Sequence, residues 1–297
     1  MYIVIDIGGT FIKYALMNSE GDIVKKRNRP TPTTNLSDFK QVIFSIIEEH
    51  DLFHVKGIAI SCPGIIDVDS GTIYHGGLLP FLHDVNLVDI IYEKYEMYVS
   101  IENDGKCAAL AELWMGNVKD AKDSVVLVLG SGVGGGIIID GKLHRGFNLS
   151  AGEISYVMSE VNQQTREGKL VGIESSAVKM VTRIAELKNL NDTTDGKAVF
   201  EFINAHDKEA NEIFNEYCIQ LGTQILNLQY ILDPEIFAIG GGISSQPVVL
   251  ERIKWAINEL KEKNPIHTAK PKIVTCRFGS DANLYGALYH FLLKTKL

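Results

Sequence analysis

Three kinds of residue in this sequence could do chemistry: carboxylates at the ends of apolar runs, dense glycine turns, and carboxylates set beside isolated glycines. Asp6 follows the run Tyr2-Ile3-Val4-Ile5, where a buried strand should be apolar. An ionised carboxylate there is costly unless a cation or hydrogen bonds meet it. An Asp in this place also serves as a turn former that bonds the next backbone amides. The following Gly8-Gly9-Thr10 favours a ligand: two positions without side chains let backbone N–H groups approach an anion, and Thr10 adds a hydroxyl. This is not a Walker loop, because G-x-x-x-x-G-K-[ST] is absent and the next element reads as a strand.

A second glycine turn, Gly130-Ser131-Gly132-Val133-Gly134-Gly135-Gly136, has five glycines in seven positions. A flexible hairpin tip needs only one or two, so the density points to close backbone approach to a ligand. The pairing of two such turns, one in each predicted domain, suggests a polyphosphate gripped from both sides of a cleft. Gly240-Gly241-Gly242 reads either as a plain strand-to-helix connection or as a flat surface for a nucleotide base and ribose. Asn103-Asp104 follows a strand and opens a helix, as a capping pair does. A carboxylate at a strand end can also take a hydroxyl proton, as kinase bases do. Glu153 and Glu174, each close to glycine, read as ordinary surface carboxylates or as partners for neighbouring sugar hydroxyls.

The elements that must position these residues repeat. Residues 2–17 and 124–139 each read as a strand, a glycine turn and a second strand, about 124 residues apart, with the second copy's turn spanning Gly130 to Gly136 and its second strand Ile137 to Ile139. Between them the pattern predicts a helix near Leu36 to His50, a strand at Gly57 to Ser61, a helix near Leu87 to Tyr95 and a strand at Tyr98 to Ile101. A helix with Cys107, Ala108, Ala111 and Trp114 on one face follows. The second half is more helical: Ile213, Phe214, Cys218, Leu221, Ile225, Leu228 and Ile231 mark one long buried helix. A strand at Ile236 to Ile239, a helix near Pro247 to Glu262, a strand near Ile273 to Cys276 and a helix near Asn283 to Leu293 complete an α/β chain.

At 297 residues the chain has room for two packed domains. A formal charge of −8 argues against a nucleic-acid surface, and the basic cluster Lys25, Lys26, Arg27 and Arg29 reads as a solvated strand end. No apolar run reaches membrane-spanning length and Asp6 interrupts any export signal, so a cytoplasmic protein without membrane partners is expected. The four cysteines, Cys62, Cys107, Cys218 and Cys276, form no C-x-x-C pair and the eight histidines no metal-binding spacing; three of the cysteines sit in apolar surroundings and read as reduced core thiols.

In order along the chain, Asp6-Ile7-Gly8-Gly9-Thr10, Pro63-Gly64, Glu102-Asn103-Asp104, the Gly130–Gly136 run, Gly152-Glu153-Ile154 and Gly240-Gly241-Gly242 resemble the ROK family of bacterial sugar kinases and repressors. The resemblance implies an actin-like ATPase fold of the hexokinase type, α/β, with two domains around a cleft. Residues 1–115 plus about 282–297 form the smaller domain in this reading, and 116–281 the larger. It implies Asp104 as the general base, with Gly64, Asn103, Asp104, Glu153 and Glu174 binding the sugar. The resemblance further implies that Asp6 positions Mg²⁺ through water, and that Gly8, Gly9, Thr10, Gly130, Ser131, Gly132, Gly134, Gly135, Gly241 and Gly242 bind the nucleotide and its phosphates.

One position departs from the family. Where a His and then a cysteine cluster normally hold zinc, this chain has Tyr156 and no cysteine between Cys107 and Cys218. The reading is therefore a kinase using ATP and Mg²⁺ but no zinc, similar to β-glucoside kinases or N-acetylmannosamine kinases. The expected reaction is phosphorylation of a sugar 6-hydroxyl, with a β-glucoside such as cellobiose favoured and N-acetylmannosamine or glucose as alternatives. The retained Asp104 and a start directly at the first strand weigh against a repressor. A non-catalytic sugar sensor and an actin-like scaffold are the readings from other classes, and a homodimer is a family expectation.

Overall fold

A computed structural model of the chain describes residues 1–296. Two compact units are present: Met1–Gly116 with Arg145–Ala151 and the segment from Asp281 onward, and Asn117–His144 with Gly152–Ser280.

In the first unit, β1 (Tyr2–Ile7) is buried at every position, so both of its faces must be covered. Alternation sends Ile3, Ile5 and Ile7 to one side and Tyr2, Val4 and Asp6 to the other. The first set packs with Phe39, Ile43, Ile46 and Ile47 of α1 (Leu36–Glu48). The second set lies under Leu284, Ala287, Leu288 and Phe291 of the helix Ala282–Thr295. The strand turns into β2 (Phe11–Met17), which pairs with β3 (Ile23–Pro30). After α1 come β4 (Ile58–Cys62), a small antiparallel sheet of β5 (Ile65–Asp67), β6 (Thr72–His75) and β7 (Val85–Asn86), then α2 (Leu87–Tyr95), β8 (Val99–Asn103) and α3 (Asp104–Met115). The main sheet has the order β3-β2-β1-β4-β8, with β1, β4 and β8 parallel.

The basic cluster is not confined to a strand end; it runs along β3, the exposed edge strand. Arg27 and Arg29 both reach Glu49, and Lys26 reaches Asp281. Charge along an edge blocks pairing with other chains.

The second unit repeats the plan. Its strands are β9 (Ser124–Leu129), β10 (Val133–Ile139), β11 (Lys142–His144), β14 (Ile236–Gly241) and β15 (Ile273–Thr275), in the order β11-β10-β9-β14-β15. Added to them are a hairpin of β12 (Met158–Val161) and β13 (Gly168–Leu170) and five helices: α4 (Val171–Glu174), α5 (Ala177–Leu187), α6 (Gly196–Asn204), α7 (Lys208–Leu232) and α8 (Pro247–Lys263). Val125, Leu127 and Leu129 of β9 pack with Phe237 and Ile239 of β14 and the inner faces of α5 to α8. The helix Ala282–Thr295 is α9. Among the described residues no helix is long and apolar enough to cross a membrane.

Three readings of the sequence change here. The second glycine turn is only Gly130 to Gly132, because β10 begins at Val133 and carries Gly134, Gly135 and Gly136 as strand residues. The two hairpins therefore stand 122 residues apart, from Tyr2 to Ser124 and from Phe11 to Val133. Ile231 is exposed, since the apolar stripe of α7 passes from Leu228 to Leu232 in the next turn. The small sheet, the β12–β13 hairpin and the helices α4 to α6 had no sequence counterpart.

Helix α3 is buried on all sides from Gly105 to Glu112 and lies so close to α9 that a Cβ on Gly286 would collide with the Cys107 carbonyl. Gly286→Val should therefore cost roughly 1–3 kcal/mol, the usual range for overpacking, read as a lower denaturation midpoint. His290, also on α9, is 3% exposed, and burial, with the Arg145 and Lys294 cations, lowers its pKa from 6.5 to about 3. A depressed histidine pKa gives stability that is complete above 6.5 and is lost as pH falls towards 3. Between pH 6.5 and 5 the loss should be about 2 kcal/mol. His290→Asn should make denaturation midpoints less sensitive to acid over that window.

Candidate functional site

The carboxyl ends of parallel strands gather the chemical residues of each unit, as in open α/β sheets generally. In the first unit β1 ends in Gly8-Gly9-Thr10, β4 in Pro63-Gly64 and β8 in Asn103, which leads into Asp104. Because these three strands are neighbours and parallel, their C-terminal residues lie along one edge of the sheet.

Asp6 is buried and pairs across the sheet with Ser61 on one side and Lys13 on the other. Ser61 Oγ donates to its Oδ1 at 3.0 Å, Asn283 Nδ2 donates to the same atom at 3.0 Å, and Lys13 Nζ stands 3.8 Å from Oδ2. Burial raises its pKa, with Asn283, Lys13 and Ser61 opposing the shift. One carboxylate suits a magnesium ion that keeps several waters and takes its other ligands from phosphates. Among the described residues, no group of three or more His, Cys, Asp or Glu could hold a metal ion.

The adjoining turn is closed by Gly8 N–H donating to the Phe11 carbonyl at 3.1 Å, and a Cβ on Gly8 would crowd that oxygen at 2.9 Å. Thr31 Oγ1 holds the Gly8 carbonyl at 2.7 Å, and the Thr31 N–H donates to the Thr10 carbonyl at 2.9 Å.

Asn103 caps α3, its Oδ1 accepting from Lys106 N–H at 3.0 Å. Its Nδ2 donates to the Gly64 carbonyl at 2.9 Å and to Asp104 Oδ1 at 3.1 Å. Gly105 N–H also donates to Asp104 Oδ1, at 2.8 Å. One amide therefore ties the β4 turn to the carboxylate of Asp104. Gly64 has φ of +109°, and a Cβ there would collide with the His75 carbonyl.

Below this edge, Glu102 is fully buried. Its Oε2 receives Arg145 Nε at 2.8 Å and Nη2 at 2.6 Å, and its Oε1 receives Asn103 N–H at 2.8 Å. A buried charge holds only when paired and hydrogen-bonded, and here the pair anchors the backbone of Asn103.

In the second unit, Gly130 N–H closes the turn onto the Gly132 carbonyl at 3.0 Å, and the Gly130 carbonyl accepts from Ala177 N–H at 2.9 Å at the start of α5. Ser155 is the hub: its Oγ accepts from Val133 N–H at 2.9 Å, and a side chain on Gly132 or Gly172 would run into it. Val171 N–H donates to the Val157 carbonyl at 2.8 Å. These contacts bring the segments of Glu153 and Glu174 together beside the turn. Both carboxylates are half-buried, and Glu174 Oε1 stands 3.8 Å from Lys179 Nζ.

Gly130 and Gly242 line one cavity of about 520 Å³, within the usual range for small-molecule sites. Ala177, Val178, Val181, Phe200 and Ile243 supply its apolar walls, while Asp192, Lys197 and Gln246 add polar groups. That composition fits a nucleoside: a flat base against apolar walls and polar groups for the ribose. Gly135 and Gly241 act differently, with φ of +150° and +97°. A Cβ on either would strike the backbone of β9, so they permit strand packing.

Most of the sequence-predicted residues thus fall into a cluster within each unit. Ser61, Asn283, Arg145, Ser155 and the cavity wall from Ala177 to Phe200 were not anticipated. Only Lys13 carried a signal, since a tight turn between Ile7 and Ile12 sets it opposite Asp6.

A ROK-family model matches residues 2–294. The chain is 33% identical over 294 residues to a β-glucoside kinase of Listeria monocytogenes, covering 97% of this chain and 96% of that protein. It is similar in structure to a ROK family protein from Streptococcus pneumoniae TIGR4 solved in complex with sucrose, with a TM-score of 0.87, 31% identity and 99% of each chain covered. It is also similar to a ROK family glucokinase from Streptomyces griseus in complex with glucose and AMPPNP, with a TM-score of 0.78, 25% identity and 97% of each chain covered. With the strand-end clusters described above, these likenesses lead to one conclusion: the chain belongs to the ROK family, has the actin-like ATPase fold and is an ATP-dependent carbohydrate kinase.

Proposed function

We propose that this kinase transfers the γ-phosphoryl group of ATP to the 6-hydroxyl of a β-glucoside such as cellobiose. The observation that carries the reading is the Asn103 amide, which holds Asp104 Oδ1 and the Gly64 carbonyl in one hydrogen-bonded unit at the end of β8. Asp104 takes the proton from the sugar hydroxyl, whose oxygen bonds to the γ-phosphorus as the bond to the ADP oxygen breaks. Asn103, Glu153 and Glu174 bind sugar hydroxyls, and Gly64 offers its backbone amide. A carboxylate held by two donors on one oxygen is oriented before the sugar arrives, which lowers the entropic part of the barrier.

The turns Gly8-Gly9-Thr10 and Gly130-Ser131-Gly132 present backbone N–H groups to phosphates. Gly134 and Gly135 carry the second turn into β10, and Gly242, next to the packing residue Gly241, borders the nucleoside cavity. Asp6 would hold a magnesium ion through water, and the ion would supply charge neutralisation at the nucleotide phosphates.

Two features support a β-glucoside. The likeness to a β-glucoside kinase extends over nearly the whole chain. The segment after Tyr156 is held by its own hairpin ladder, with Asn162 N–H donating to the Glu167 carbonyl at 2.9 Å and Lys169 pairing with Glu160 at 2.5 Å. A loop fixed in this way leaves Tyr156 61% exposed at the position where the family's metal-bound His is expected.

Asp104→Asn should lower kcat by roughly 10²- to 10⁴-fold, the usual span for loss of a general base, and undiminished turnover would refute the role. A panel of sugars assayed by coupled ADP release should show cellobiose preferred to glucose; turnover of free glucose alone would overturn the β-glucoside assignment. Gly242 has open space where a Cβ would stand. Gly242→Val should therefore fold normally and raise KM for ATP about tenfold, corresponding to about 1.4 kcal/mol of lost binding.

A further inference from the structure

Glu102 is buried in β8, and His290 of α9 stands 3.9 Å from its Oε2. An apolar side chain in that place would meet no desolvation penalty. Exchanging a buried ion pair for apolar residues of similar volume is commonly neutral or stabilising, so stability alone does not account for Glu102 and Arg145. An apolar residue could not, however, accept the Asn103 N–H, which Glu102 Oε1 takes at 2.8 Å. We infer that Arg145 is a positioning residue for the transfer: it aims the Glu102 carboxylate at the main chain of Asn103 and so fixes the side-chain amide that orients Asp104. The inference rests on the reading of Asp104 as the general base.

Both bonds from Arg145, Nε at 2.8 Å and Nη2 at 2.6 Å, fall on Glu102 Oε2. The other oxygen is left to Asn103, and the carboxylate cannot rotate without breaking two charge-assisted bonds. The guanidinium is held in turn. Arg145 Nη2 lies 3.4 Å from His290 Nδ1, and since arginine only donates, the ring nitrogen accepts. That role needs the neutral imidazole, which burial favours.

The main chain of Arg145 is fixed as well. Ala151 N–H donates to its carbonyl at 3.0 Å, and Leu149 N–H to the Gly146 carbonyl at 3.4 Å, with Gly146 at φ +74°. From this closed turn the path to the base runs from Arg145 to Glu102, from Glu102 to the Asn103 N–H, and from Asn103 Nδ2 to Asp104 Oδ1. All of these residues belong to the first unit, and none lines the nucleoside cavity.

The test is a cycle of variants assayed by coupled ADP release on whichever of cellobiose and glucose the intact protein turns over faster, with urea denaturation midpoints measured alongside. Arg145→Met should lower kcat roughly 10²-fold, the scale of a misplacement of about 1 Å, and raise KM for the sugar while leaving KM for ATP unchanged. Arg145→Met/Glu102→Gln removes the uncompensated buried charge. Its midpoint should return to that of the intact protein while kcat stays low, because nothing aims the new amide at Asn103. Should Arg145→Met fail to fold, this double variant carries the same comparison. Asp104→Asn/Arg145→Met should be no slower than Asp104→Asn alone, because residues acting as a unit are not additive. A kcat that recovers together with the midpoint, or an Arg145→Met effect equally large with and without the Asp104 carboxylate, overturns the positioning role and leaves the base assignment standing. Full turnover in Asp104→Asn overturns the base assignment and the inference with it.

Discussion

Covering both faces of a parallel sheet leaves few places where a charged group can survive. In β1, β4 and β8 almost every side chain enters one of two apolar layers, so charge is tolerated at the strand ends or where a dedicated partner meets it. Asp6 survives because Ser61, Lys13 and Asn283 surround it, and Glu102 because Arg145 does. The polar residues that remain gather along one edge. Their clustering follows from burial as much as from chemistry, and the proposed catalytic residues lie on the one rim that the core cannot cover.

The same strand order occurs twice, yet the two copies spend their rims differently. The first places a carboxylate within β1, a glycine that no other residue could replace after β4, and an asparagine–aspartate pair at the end of β8. The second leaves Val128 where the first has Asp6, and uses glycine at the ends of β9 and β14 to clear space for a ligand. Acid–base groups reside in one copy and the roomy, largely apolar cavity in the other. The proposed function divides this duplicated scaffold between proton transfer and nucleotide binding.

Local pattern made much of this visible in advance. The apolar runs of β1, β4 and β9 announce themselves, and α2 falls where its periodicity places it, from Leu87 to Tyr95. Asn103 and Asp104 are legible because a strand end, a cap and a helix start coincide there. Long-range partners left no such trace: nothing near Asp6 points to Asn283, and nothing in Gly132 or Gly172 announces that both make room for Ser155. Glycine density misled in one respect. Gly134 to Gly136 look like loop, but in β10 their small size serves the close approach of β9 and of Gly152. Composition cannot separate a glycine that clears space for a ligand from one that clears space for a strand.

The cover over one face of β1 is supplied by α9, a helix synthesised only after the whole second unit. Until then Tyr2, Val4 and Ala59 lack their apolar partners and Asp6 lacks the amide of Asn283. The first strands made must wait longest for their packing, while the chain from Gly152 to Ser280 supplies most of the second core in one continuous stretch. Folding in the order of synthesis is thereby inverted: the later unit can consolidate first, and the apolar underside of the earlier sheet stays uncovered until α9 arrives.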